Sequence, residues 1–345
     1  MQEVNRRGFV RQAAAGVGGA FTAAALGVSP AQGGSPAPAK RLPREVWVAS
    51  VSQNGLTAET PEQMLGMLLD RAETASAQQP DIVCLSEVGP FMNLTGARVT
   101  VQEAAEKYCG AFTERFAGFA RSHNCYVWAP LYTRENGRIY NSLVLIDRQG
   151  KVLGEYRKMH ATLGEMEHGV SPGPLDPPVF DTDFGRIGAQ ICFDIEWKDG
   201  WEKLARAGAE IVFWSSAFGG GRKLNILAGM FHYNIVSSTN KGISQVVDNA
   251  GLTVAWTGLW DPSLCTSLNL EKVLVHTWPF SEHFDKIQAK YGRAVRLTTF
   301  MEEEWSIVES LSPEVKVADV LREFGIKSYD QLIEESTAEQ DKRRG

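Results

Sequence analysis

From Glu45 onward, short runs rich in Val, Ile and aromatic residues alternate with longer stretches whose apolar positions recur at helical spacing. Val46–Ser52 reads as a strand. Pro61–Gln78 reads as a helix carrying Met64, Leu65, Leu68 and Leu69 on one side, and Asp81–Leu85 as a buried strand. A helix is predicted over Val101–Ser122, followed by strands at Cys125–Leu131 and Tyr140–Ile146. The turn signal Asp147–Gly150 joins the latter to Val152–Arg157. Val179–Phe184 and Ile187–Cys192 form a second strand pair across Gly185 and Arg186. Then come a helix at Trp201–Ala207, a strand at Ile211–Trp214, a helix at Leu224–Ser237, and strands at Ile243–Val247 and Thr253–Trp256. Adjacent strand pairs between flanking helices imply an α/β fold with two sheets packed face to face and helices outside. No solenoid period is present.

The first thirty or so residues break this pattern. Asn5-Arg6-Arg7-Gly8-Phe9-Val10-Arg11 resembles a twin-arginine export motif, and it precedes a weakly apolar Ala/Gly run from Ala13 to Val28. Ser29 and Ala31 suit cleavage before Gln32. The expected organisation is an export signal at 1–31, a Gly/Pro-rich linker at 32–44, a single folded domain at 45–310, and a charged helical extension at 311–345 that docks on a partner subunit or lies free. The competing reading of the N-terminus is a disordered cytoplasmic tail. The first reading predicts an exported protein, periplasmic or extracellular, with no membrane span after Val28.

Charge narrows the partners. The formal net charge is −6, and the only basic clusters lie at the chain ends, which argues against nucleic acid. The chain has 5 cysteines, an odd number for an oxidising compartment, so at least one is expected to stay unpaired within the chain. Cys84, Cys109, Cys125 and Cys265 fit equally well as small buried apolar residues.

Three segments place a reactive side chain at or just past a strand end, where α/β proteins tend to build their sites. Asp81-Ile-Val-Cys-Leu-Ser-Glu87 delivers a carboxylate, Tyr156-Arg157-Lys158-Met159-His160 an ammonium, and Gly188-Ala-Gln-Ile-Cys192-Phe-Asp194 a thiol. Each alone has an ordinary explanation: a solvated strand-end charge, or a core cysteine.

Together, in this order, they resemble the nitrilase superfamily of carbon-nitrogen hydrolases over roughly Glu45 to Glu309. The most specific stretch is Val179-Phe-Asp-Thr-Asp-Phe-Gly-Arg-Ile-Gly-Ala-Gln-Ile-Cys192-Phe-Asp-Ile, followed by Ala209-Glu-Ile-Val-Phe-Trp-Ser-Ser-Ala217. The resemblance implies a four-layer α-β-β-α sandwich, a Glu87-Lys158-Cys192 triad, no cofactor and no metal, a small amide or carbamoyl substrate, and a homo-oligomer. It also implies a further glutamate on the loop ending Ser171-Pro172-Gly173. Glu165 and Glu167 both match, and Glu165 fits better by its distance from Gly169 and Pro172.

On this reading Lys158 lowers the thiol pKa from its usual value of about 8.5. Glu87 moves the protons, and Lys158 with the backbone N–H of Phe193 steadies the oxyanion. Phe91, Trp197, Trp201 and Phe218 are candidates for an apolar pocket. Phe193-Asp194 stands where nitrile-cleaving relatives have Trp-Glu, which favours the amidase or carbamoylase branch. Lys198-Asp199 and Phe231-His232 depart from the family's usual Pro-Glu and Glu-Asn. Two other classes compete: a metallohydrolase using His160, Glu165, Glu167 and His168, and a non-catalytic exported binding protein on the same fold.

Overall fold

A computed structural model describes residues 42–106 and 110–345 of the chain. The export-signal segment, nearly all of the linker and Cys109 lie outside the described residues.

Two six-stranded sheets form the body. In the first, β1 (Glu45–Val51), β2 (Ile82–Leu85) and β3 (Tyr126–Glu135) run parallel, and β4 (Arg138–Ile146) and β5 (Val152–Arg157) follow as an antiparallel meander. The second has β7 (Arg186–Ile191), β8 (Ile211–Ser216) and β9 (Asn234–Thr239) parallel at its centre, flanked by β6 (Val179–Asp181), β10 (Gln245–Val247) and β11 (Thr253–Trp256).

Side-chain alternation assigns the layers. Val46, Val48, Ile82, Trp128, Leu143 and Leu145 from the first sheet share one core with Ile187, Ile191, Phe213 and Val236 from the second. The opposite face of the first sheet (Ala49, Val83, Val127, Val144) packs on α1 (Pro61–Ser76) and on the helix Ala111–His123. The outer face of the second (Val212, Trp214, Ile235) packs on the helices Asp199–Arg206 and Arg222–Phe231. The result is the expected α-β-β-α sandwich.

Near the carboxyl ends of the parallel strands the inter-sheet contact becomes polar. Ser50 donates to the Ser237 carbonyl at 2.6 Å, Ser238 to that of Val51 at 2.6 Å, and Ser215 to that of Leu85 at 2.6 Å. These short side chains satisfy buried carbonyls and hold the two rows of strand ends close together, where the reactive residues emerge.

Three predicted elements differ. The helix expected over 101–122 is two helices: α2 (Val101–Ala104), capped by Thr100, and α3 (Ala111–His123). Glu106 separates them. It bridges to Thr133, and its carboxylate accepts the first N–H groups of α3, at Phe112 (3.2 Å) and Thr113 (2.7 Å), which suits the positive end of a helix. The helix expected over 224–237 stops at Phe231, where His232 takes a left-handed cap with φ 55°, and the β-branched Ile235 and Val236 enter β9. The extension at 311–345 is packed at its start. Val317, Val320, Leu321 and Ile326 join a core with Ile287 of the helix Phe284–Tyr291 and with Val275, Val295 and Val308 of a three-stranded sheet formed by Lys272–His276, Val295–Phe300 and Trp305–Ser310. Tyr329–Arg344 forms a further helix with no buried residue.

Candidate active site

The reactive groups meet where strand ends of both sheets converge. Glu87 follows β2 by two residues, Lys158 follows β5 directly, and Cys192 follows β7 directly. Both turns are conformationally unusual. Val88, a β-branched residue, has φ 38°, and Cys192 has φ 45°. Such left-handed backbone costs on the order of 1–3 kcal/mol and persists where its surroundings enforce it.

The turn after Glu87 is fixed by Gln53. Its side chain donates to the Gly89 carbonyl (2.9 Å) and the Met92 carbonyl (3.1 Å), and accepts from the Ser86 hydroxyl (2.9 Å). The turn after Cys192 is fixed by Asp194, which is fully buried. Its carboxylate accepts from the Tyr156 hydroxyl (2.6 Å), the His160 N–H (2.8 Å) and the Ile191 N–H (2.9 Å), with His160 Nδ1 at 3.0 Å. Asp194 thereby ties the nucleophile turn to the lysine segment.

Lys158 is 2% exposed, and its Nζ donates to Glu87 Oε1 and Glu165 Oε2, both at 2.8 Å. Burial opposes its charge, but the two carboxylates outweigh that and hold its pKa above the ordinary lysine value. The same balance acts on Glu165. Burial works against the carboxylate, while Lys158, Asn141 and the Thr162 N–H (2.8 Å) pull its pKa down. Asn141 Nδ2 lies 2.8 Å from Oε1 of both Glu87 and Glu165, and the Asn141 carbonyl accepts the Lys158 backbone N–H at 2.8 Å. The loop carrying Glu165 returns close to its start: Gly173 N–H donates to the Lys158 carbonyl at 2.8 Å. A Cβ at 173 would lie 2.4 Å from the Arg157 carbonyl oxygen, so this closure demands glycine.

The Cys192 thiol lies close enough to Glu87 and Lys158 for both charges to act on it. Burial, then the negative charge of Glu87, push its pKa up to about 12, and Lys158 offsets only part of this. Lys158 acts in the expected direction, towards a more acidic thiol, but it is outweighed. Burial and the Glu87 charge favour the protonated thiol.

Of the remaining candidates, Glu167 stays outside this hydrogen-bonded cluster, and Trp201 is core, its Nε1–H donating to the Asp194 carbonyl at 3.1 Å. Trp197 stacks on His160 with ring centroids 4.3 Å apart and meets the Phe193 ring edge-on at 5.1 Å. Phe218 sits edge-on to Trp214, and both Trp197 and Phe218 are partly exposed. Phe91 and Tyr132, 5.8 Å apart, stand with Glu165 in the wall of a cleft of about 600 Å3. The tyrosine lies close enough for the charges of Glu165, Glu87 and Lys158 to reach it. The four residues of the metallohydrolase alternative do not converge: His160 binds Asp194, Glu165 binds Lys158, and His168 Nδ1 binds the Gly164 carbonyl at 2.6 Å. Among the described residues no cluster of His, Cys, Asp or Glu is disposed to hold a metal ion. Cys84, Cys125, Cys192 and Cys265 are all free thiols.

Asn141, Gln53, Tyr156 and the anchoring role of Asp194 are the parts that sequence reasoning missed. A buried strand reading Tyr-Asn-Ser in an otherwise apolar run was the available signal for Asn141.

Comparison with known proteins bears on this arrangement. The family model described as carbon-nitrogen hydrolase matches residues 47–226, just over half of the chain. The β-ureidopropionase of Arabidopsis thaliana is 31% identical over 195 residues, covering 51% of this chain and 47% of the relative. The citrullinase of Francisella tularensis is 32% identical over 103 residues, covering 29% and 36%. The matched stretches thus span less than half the length of these curated relatives. Among solved structures, an amidase from Nesterenkonia sp. superposes with a TM-score of 0.57 at 21% identity, over 65% of this chain and 90% of that one, a likeness of fold.

Proposed function

The chain belongs to the carbon-nitrogen hydrolase family, and from that premise we propose that it hydrolyses an amide or N-carbamoyl bond through a thioester on Cys192. The observation that carries this is the buried cluster in which Lys158 donates to Glu87 and Glu165, with Cys192 at the adjoining strand end and within reach of the charges of Glu87 and Lys158.

Burial and the Glu87 charge hold the thiol pKa high, which favours proton removal as the bond forms over attack by a preformed thiolate. Glu87 takes the S–H proton while sulfur adds to the substrate carbonyl. The charge that develops on oxygen is met by the Lys158 ammonium and the Phe193 backbone N–H, each such donor being worth roughly 3 kcal/mol. Collapse breaks the C–N bond, and Glu87 returns the proton to the departing nitrogen. Water then adds to the thioester, giving its proton to Glu87, and the thiol leaves reprotonated. Glu165 and Asn141 hold Glu87 and Lys158 in register throughout. Phe91, in the cleft wall beside Glu165, is assigned to the acyl portion of the substrate, and the partly exposed Trp197 and Phe218 are further candidates.

Turnover tests this. Ammonia or amine release from a panel of short amides and carbamoyl compounds is expected from the unaltered chain and not from Cys192→Ala or Glu87→Gln. Equal turnover by all three sinks the proposal. We also propose export, on the Arg6-Arg7 motif. Cell fractionation of Arg6→Lys/Arg7→Lys beside the native sequence tests it, and unchanged distribution counts against it.

A further inference from the structure

The cleft that contains Glu165 and Tyr132 also contains Phe91, Leu94, Val170 and Arg98. Arg98 is the informative member. Its Nη2 lies 3.1 Å from His168 Nε2. His168 Nδ1 is 2.6 Å from the Gly164 carbonyl, which only accepts, so Nδ1 carries the hydrogen and Nε2 is a neutral acceptor for the guanidinium. Among the described residues no carboxylate lies within ion-pair distance of Arg98. The Glu103 carboxylate, the next acid along the chain, accepts from the Thr100 N–H (2.9 Å) and hydroxyl (2.8 Å). Glu165 is committed to Lys158, Asn141 and Thr162.

The cleft therefore sets an exposed guanidinium, with no carboxylate partner among the described residues, beside apolar side chains and beside Glu165, the one member of the reactive cluster in its wall. A guanidinium stays charged at any working pH, and its planar fork matches a carboxylate. His168 orients it, and His168 is itself tied down by Gln102 Nε2 donating to its carbonyl at 3.2 Å. We propose that Arg98 is a substrate-binding residue for a carboxylate, so that the preferred substrate is an amide or ureido compound with an anionic group remote from the scissile C–N bond. The alkyl portion lies along Phe91, Leu94 and Val170. This rests on the functional reading above, because the cleft gains its meaning from its continuity with Glu165.

The test is equilibrium binding by titration calorimetry to the full chain carrying Cys192→Ala, so that ligands stay intact. Monoamides of short straight-chain dicarboxylic acids are compared with neutral amides of the same length, with and without Arg98→Gln and Arg98→Lys. The anionic series is expected to bind about tenfold more tightly, Arg98→Gln to abolish that difference, and Arg98→Lys to restore part of it. Equal binding of the two series, absence of binding by both, or an anionic preference that survives Arg98→Gln overturns the proposal. Failure of the parent reading shows up separately, as turnover of neutral amides by the unaltered chain that does not depend on Cys192.

Discussion

Lys158 Nζ sits 2.8 Å from Glu87 Oε1, with the two side chains 2% and 6% exposed. Two carboxylates and one ammonium are thus buried together, and the cluster holds only while the cation is present. Lys158→Met leaves Glu87 and Glu165 facing each other without a countercharge. Breaking such a pair costs about 3–5 kcal/mol, and loss of oxyanion support lowers kcat by roughly 10²–10³. Lys158→Arg is expected to recover stability and not activity, because the guanidinium's planar fork does not reproduce the ammonium's contacts. Denaturant titration with turnover checks both. The pH dependence follows from the shifts. Glu165, held low, stabilises above the ordinary carboxylate range and loses that contribution as pH falls through its folded pKa. Lys158, held high, stabilises below the ordinary lysine range and loses its contribution as pH rises through its own.

A neutral thiol beside a carboxylate makes a kinetic prediction. Alkylation through a free thiolate speeds up about tenfold per pH unit below the thiol pKa. If Glu87 removes the proton during attack, the labelling rate of Cys192 is flat across the neutral range. Glu87→Gln is expected to be slower at neutral pH and to regain the steep rise. A steep rise in the unaltered chain contradicts the general-base role.

Asn141 donates to both glutamates. Asn141→Asp adds a third carboxyl against them, and crowded like charges resist ionisation. The acid limb of kcat/KM is expected to move up by about one pH unit or more, and Asn141→Ala to lower kcat without that displacement. A residue of merely structural importance would lower stability and leave the acid limb where it was.

Asp194 anchors the nucleophile turn through donors from Tyr156, His160 and Ile191. Asp194→Ala leaves these buried donors unpaired, at an expected cost of about 3 kcal/mol or more, read by thermal unfolding. The hydrogen bond to Asp194 is the main reason the His160 pKa stands above its usual value. That contribution to stability is complete below the unfolded histidine pKa and is lost as pH rises through the folded one. A His160 titration by NMR is expected to shift downward in Asp194→Asn.

The alternation of apolar and polar positions made the two sheets and the outer helices legible, because the strands buried on both sides, such as Ile82–Leu85 and Ile211–Ser216, are short apolar runs. The strand Ser263–Asn269, which closes the first sheet beside β1, was not legible: in Ser-Leu-Cys-Thr-Ser-Leu-Asn the inward Leu264 and Leu268 are diluted by polar neighbours. Glu87, Lys158 and Cys192 stood out as strand-end residues, and the structure brings them together. Asn141 and Gln53 did not, since a neutral amide on a strand or turn is marked as part of a site only by what folds against it. The elevated thiol pKa was likewise hidden, because it depends on burial and on the balance of two opposite charges that only the fold brings to the thiol.

Brief iodoacetamide treatment of the full chain at neutral pH, followed by intact-mass analysis and assay of amide turnover, tests the central claim most directly. The account predicts a single fast adduct, absent in Cys192→Ala, with turnover lost in proportion to labelling, while the buried Cys84 and Cys125 stay unmodified. Slow labelling indifferent to Cys192→Ala, with turnover intact, would contradict it.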